Sequence, residues 1–152
     1  LKAEINIGDI VLSTDTMQHD VDAREFGYPL GQIPRMETLA FEADENLRKL
    51  AKEVCEEVNP DIQVFEGRVA SGDQFVADKE TKEKIIANTQ AYCTEMEGAA
   101  IGQAAYLNGI PYLVIRAISD KADDSAHMDY PAFEKEAIRH TVNLVENMMK
   151  AL

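Results

Sequence analysis

Tryptophan is absent from this 152-residue chain, cysteine occurs twice, histidine three times, and basic side chains are few. Cys55 and Cys93 stand apart, with no CxxC spacing and with apolar neighbours, so they read as buried free thiols in a reducing cytoplasm rather than a disulfide framework. No apolar run approaches the roughly 20 residues that cross a bilayer, and no secretory leader is visible, so a membrane partner is not expected. Lys and Arg total 15 against 28 Asp and Glu, a formal charge of -13. That balance repels phosphate backbones and argues against nucleic acid as a partner. Repeats, low-complexity tracts and Gly/Ser linkers are missing too. So is an initiating Met: the opening LKAEINIGDIVLS reads as the interior of a longer protein.

Apolar residues at 45% and charged residues at 28% give an ordinary globular composition, with length for a single domain over 1–152. Asp9–Ser13 is a short apolar run suited to a buried strand. Thr14–Met36, rich in Asp, Gly and Pro, reads as a long loop, and loops of that length are more often functional than idle. From Glu42 to Val58, Ala43, Leu47, Leu50, Ala51, Val54, Cys55 and Val58 fall on one helical face, and Pro60 ends the helix. Ile62–Ala70 is a strand leading to the turn SGDQF. Asp78 caps a helix running to Asn88. Ala91–Thr94 is a brief strand, Gly98–Leu107 a small-residue helix stopped by Asn108 and Gly109, and Tyr112–Ile118 the clearest strand. Pro131 suits the first turn of a last helix striped by Phe133, Ala137, Ile138, Thr141, Leu144, Val145, Met148 and Met149. Strands alternating with helices imply an α/β fold of three layers, α/β/α, around a central, largely parallel twisted sheet. Ligands in such folds bind beyond the carboxyl ends of strands, where Glu95–Glu97 and Ser119–Asp120 both fall.

YCTEMEGAAIGQAA, residues 92–105, sets Glu95 and Glu97 on either side of Met96 at a strand-to-helix junction. Local sequence leaves open whether both acids are solvated or one points into a pocket. TEMEGAA together with RAISDKAD resembles the paired signatures of the nucleoside phosphorylase and nucleosidase superfamily. HDVDAREFGYPLGQIP (19–34), VASGDQF (69–75) and SAHMDYPAF (125–133) narrow the resemblance to 5′-methylthioadenosine/S-adenosylhomocysteine nucleosidases, over essentially the whole chain.

The resemblance implies a nucleoside phosphorylase-like fold, hydrolysis of an N-glycosidic bond, a small-molecule nucleoside substrate, a cytoplasmic homodimer and no cofactor. Asp120 matches the purine-binding aspartate that contacts N7 and the exocyclic amine. Such a carboxyl group is needed because an adenine anion is a poor leaving group; general acid help of this kind contributes about 10²–10⁴-fold. Glu97 matches the ribose glutamate, which accepts from both the 2′- and 3′-hydroxyls near a sugar that becomes oxocarbenium-like. Met96 matches a methionine packed under the ribose, Phe75 and Val76 the adenine pocket, Ser119 a residue orienting the aspartate, and Tyr130 an aromatic position near the 5′ substituent. Ala23 is assigned to substrate binding within the long loop, and Phe26, Tyr28 and Pro34 to the pocket of a partner subunit. Glu95 is left between a structural and a site role. Arg116, which strand alternation puts on the side of Ile118 and Asp120, is read as structural. His19, Asp20 and Asp22 lack a second ligand cluster, so no metal is expected. The family's main catalytic glutamate and its glycine-rich ribose loop belong to an amino-terminal segment without counterpart here, so that segment is itself an expected partner.

Competing readings are a phosphorolytic purine nucleoside phosphorylase, an aminofutalosine nucleosidase, and, in another class, a non-catalytic nucleoside-binding module.

Overall fold

A computed structural model describes residues 2–121 and 126–152, with side chains from 134 onward in the second span; the side chain of Tyr130 lies outside the described residues. The hub of the sheet is β1 (Ile10–Gln18), which pairs in parallel with β3 (Val64–Ser71). In turn β3 pairs in parallel with β4 (Cys93–Glu95). The other edge of β1 carries two short antiparallel partners: β5 (Ile115–Ala117) along Ile10–Leu12, and β2 (Phe41–Glu42) along Asp15 and Thr16. Among the described residues four helices flank this mixed, mostly parallel sheet: α1 (Glu45–Val58), α2 (Lys79–Thr89), α3 (Gly98–Asn108) and α4 (Ala126–Ala151). The expected α/β class is the observed one.

Side-chain alternation along β1 divides the core. Ile10 and Leu12 point to α1 and α4, where they pack with Ala51, Cys55, Leu144 and Met148. Val11 points the other way, to Val69, Cys93 and Ile118. A third cluster, Ala70, Val76, Ile85 and Ala91, seats α2. Full burial of each such aliphatic side chain contributes about 1.5–3 kcal/mol. The buried Asn59, just past α1, donates to the His140 carbonyl at 3.0 Å and ties α1 to α4 without leaving its amide orphaned. Both cysteines are buried and free. Burial pushes the Cys93 thiol up to about 12, which removes it as a nucleophile.

Four element boundaries differ from the sequence reading by three residues or more. The long loop begins at His19 rather than Thr14, because β1 runs on to Gln18. Asp15 is tolerated in the strand by a bidentate pair with Arg68 at 2.6 and 2.9 Å. The register shift between Ser13 and Thr16 is a bulge there. Helix α1 starts at Glu45, since Phe41 and Glu42 pair with β1 and Asp44 caps the helix by accepting from the Leu47 amide at 2.8 Å. The strand read over Tyr112–Ile118 forms its ladder only at Ile115–Ala117; Tyr112 instead bridges Thr16 and the Phe41 carbonyl. Helix α4 begins at Ala126, upstream of Pro131.

The small residues of α3 are explained by contact. A Cβ on Gly102 would stand 2.4 Å from Thr16 Oγ1 and 2.7 Å from the Tyr112 hydroxyl, so this helix lies against β1 as only glycine allows. Among the described residues no helix is long and apolar enough to cross a membrane.

Candidate active site

The strands do not bring the site together in the simple way a parallel sheet would. Since β5 runs antiparallel to β1, its carboxyl end does not share an end of the sheet with β3 and β4. Instead the approach is made across one face of the sheet, where Cys93 of β4 and Ile118, just past β5, pack with Val11 and Val69. Cys93 and Thr94 of β4 and residues 116–120 line one narrow crevice of about 30 Å³.

That crevice opens into a cleft of about 120 Å³ lined by Gln74, Phe75, Val76, Thr94, Glu95, Met96, Glu97, Arg116 and Asp120. Five residues marked from sequence, Asp120, Glu97, Met96, Phe75 and Val76, thus share one wall-to-wall space although they come from three separate segments. Ser119 stands behind Asp120 and donates from Oγ to Asp120 Oδ2 at 3.1 Å. Three carboxylates and one guanidinium line the cleft, an electronegative setting suited to a group that gains positive charge. Phe75 is 52% and Met96 42% exposed, so two apolar side chains stand open to whatever occupies the cleft.

The two glutamates divide cleanly. Glu95 is buried and accepts from Ser71 Oγ, from the Glu97 amide at 3.0 Å and from the Gly98 amide at 2.7 Å. Glu97 is exposed, occupies the N-cap position of α3, and makes no capping bond with its own side chain. The inward acid is therefore Glu95, holding the helix, while Glu97 is the acid presented to the cleft.

Phe75 reaches the cleft from a turn pinned at its start. Asp20 Oδ2 accepts from the Asp73 amide at 2.7 Å, and a Cβ on Gly72 would collide with His19 Nε2 at 2.3 Å. His19 and Asp20 thus serve the turn. The remaining residues marked from sequence lie elsewhere. Ala23 is buried inside the long loop, Phe26 is 83% exposed on its short 3₁₀ turn, and Tyr28 accepts from the Arg35 amide at 3.1 Å; these three and Pro34 are not among the residues lining the cleft. Arg116, read as structural, lines it. The signal was present: in RAISD, period-two alternation sets Arg116 on the side of Asp120.

Known proteins were compared with the chain. Residues 1–150 match the model of the phosphorylase superfamily. The 5′-methylthioadenosine/S-adenosylhomocysteine nucleosidase of Bacillus pumilus is 41% identical over 150 residues, covering 96% of this chain and 63% of its own length. An aminodeoxyfutalosine nucleosidase of Helicobacter pylori is 38% identical over 152 residues, covering 100% of this chain and 64% of the relative. A crystal structure of the Neisseria meningitidis 5′-methylthioadenosine/S-adenosylhomocysteine nucleosidase in complex with methylthio-immucillin-A superposes with a TM-score of 0.92 at 34% identity, covering 100% of this chain and 65% of that one. The chain spans just under two thirds of the length of the curated relatives it matches. On the match across residues 1–150 and on these identities, the chain belongs to the phosphorylase superfamily, alongside its 5′-methylthioadenosine/S-adenosylhomocysteine nucleosidases.

Proposed function

We propose that the protein carrying this chain hydrolyses the N-glycosidic bond of 5′-methylthioadenosine and S-adenosylhomocysteine, releasing adenine. The observation that carries this reading is the convergence of Asp120 and Glu97 on one cleft, with Phe75 beside them. In the proposed mechanism Phe75 stacks on the base, an interaction worth about 1–3 kcal/mol, and Val76 closes its pocket. Asp120, entering the step protonated and held by Ser119, transfers its proton to N7 as the C–N bond breaks, so that adenine leaves neutral and Asp120 is left as the carboxylate. The sugar turns oxocarbenium-like, and the nearby Glu97 carboxylate grips its hydroxyls with charge-assisted bonds that strengthen as positive charge develops. Met96 packs beneath the ring. Arg116, the one cation among the described residues of the cleft, lines the same space and is proposed to hold an oxygen of the ribose or of the attacking water.

A cleft of about 120 Å³ is smaller than the roughly 300–1,000 Å³ of ordinary ligand pockets. The rest of the wall is assigned to the portion of the relatives that this chain does not span, including the acid that activates water. Strand β5 and α4, through Ile115, Ala117, Ala137, Ile138 and Val142, line a largely apolar groove of about 320 Å³ that shares Arg116 and Ser119 with the site region and suits that portion; the exposed stripe of α4 continues to Val145 and Met149. In this reading 1–152 is the larger part of one domain. A homodimer would bring the exposed Phe26, with Tyr28 and Pro34, to the partner's 5′ pocket, as aromatic enrichment at interfaces favours. Tyr130 is assigned to the same 5′ end. A cytoplasmic location accords with two unpaired buried thiols.

Adenine release measured with and without inorganic phosphate tests the reaction class. Equal rates are expected, and strict dependence on phosphate would refute hydrolysis in favour of phosphorolysis. Because one relative is an aminodeoxyfutalosine nucleosidase, the same assay is run with that nucleoside as a competing substrate.

A further inference from the structure

The first turn of α3 is held from outside the helix. Ser71 and Glu95 are register partners at the tips of the parallel strands β3 and β4. Both are buried, Ser71 to 1% exposure and Glu95 to 8%. The Ser71 hydroxyl donates to Glu95 Oε1 and accepts from the Ala99 amide at 2.7 Å. Glu95 Oε2 accepts from the amides of Glu97 and Gly98. Three consecutive backbone N–H groups are thereby satisfied by two side chains of the sheet. An ordinary helix start would use the N-cap side chain for this work. Here that residue is Glu97, and its carboxylate is left to face the cleft. The fit is tight: a Cβ on Gly98 would lie 3.0 Å from Glu95 Oε1.

We infer that Ser71, acting through Glu95 and the Ala99 amide, is a positioning residue that sets where Met96 and Glu97 stand under a bound ribose. The inference rests on the reading of Glu97 as the sugar ligand. Met96 and Glu97 form a two-residue span between the end of β4 and the start of α3. Glu95 fixes that span twice, by its own backbone in the strand and by its side chain on the Glu97 and Gly98 amides. Without the Ser71 hydroxyl, Glu95 Oε1 and the Ala99 amide both lose a partner in a buried place, and the span is free to shift. A displacement near 1 Å in a positioning group is enough for about a 10²-fold loss. Among the described residues no hydrogen bond joins the side chains of Ser71 and Glu95 to the base side of the cleft, carried by Phe75, Val76 and Asp120, so that side is expected to stay in place.

The test compares two ligands on the full chain: free adenine, which meets only the base side, and a non-hydrolysable 5′-methylthio-C-nucleoside, which also meets Glu97. In Ser71→Ala, affinity for the C-nucleoside is expected to fall tenfold or more while affinity for adenine stays within twofold. Equal loss of both ligands, or loss of neither, overturns the positioning role. If the wild-type chain binds neither ligand, the nucleosidase reading of this cleft falls, and the assigned role with it. Amide hydrogen exchange in the unliganded wild type tests the clamp even if Ser71→Ala fails to fold. Protected Gly98 and Ala99 amides support it; exchange at the rate of open loop amides overturns it.

Discussion

The face of the sheet covered by α1 and α4 and the cleft at Asp120 are built on opposite principles. Beneath α1 and α4, Ile10, Leu12, Ala51, Cys55 and Leu144 are completely buried, and the buried Asn59 amide donates to the His140 carbonyl. At the cleft, Phe75 and Met96 are exposed, and Glu95, Glu97, Asp120 and Arg116 line the same space. The first region is closed over apolar side chains. The second exposes apolar surface beside charge, and that combination marks function rather than stability.

The largest expected effect breaks the cleft and spares the core. Asp120→Asn keeps the shape but removes the dissociable proton, so adenine release by the full-length protein should fall by about 10²–10⁴-fold with an unchanged circular dichroism spectrum. Near-normal turnover would take Asp120 out of the mechanism. Leu144→Ala does the reverse. It should cost about 2–5 kcal/mol in denaturant unfolding, with ligand affinity intact in the folded fraction. Coupled losses would mean that the two regions are not separable. Glu97→Gln keeps the side-chain shape but loses the charge and one of the two accepting oxygens; a drop of about 1.5–3 kcal/mol in nucleoside binding is expected, read by calorimetry, with adenine affinity unaffected. Phe75→Ala should cost about 1–3 kcal/mol in adenine affinity.

The smallest effect belongs to the long loop. The guanidinium of Arg24, bonded to Asp22 at 2.6 and 2.8 Å, holds that carboxyl down to about 2. A lowered folded value means the pair stabilises above the ordinary aspartate range near 4 and loses that contribution as pH falls toward 2. The pair is fully exposed, so Asp22→Asn is expected to leave the thermal midpoint unchanged between pH 5 and 8. A measurable drop at neutral pH would show the loop to be more tightly built than its exposure indicates.

Much of this was readable in advance. Alternation of strand and helix patterns implied the α/β class, the α1 stripe pointed to Ala51 and Cys55, and the resemblance of RAISD and TEMEGAA to the family's paired signatures pointed to Asp120 and Glu97. What escaped had non-local causes. Asp15 looked like the start of a loop because its partner, Arg68, lies 53 residues away. Tyr112 looked like a strand residue because the sequence does not display the Thr16 and Phe41 groups that its hydroxyl joins. Arg116 was set aside because the packing that brings the end of β5 to β4 across the sheet face joins segments distant in sequence.

The sequence alone determined which chemistry was available: acids two residues apart at a strand-to-helix junction, an aromatic after a glycine turn, and a serine next to an aspartate. Tertiary structure decided where each acid points. The signature match marked Glu97, but residue order does not show what holds Glu95. Only the parallel register that sets Ser71 beside Glu95 sends one carboxylate down to the helix amides and leaves the other facing the cleft, since a buried carboxylate requires donors and the strand tips supply them in one place.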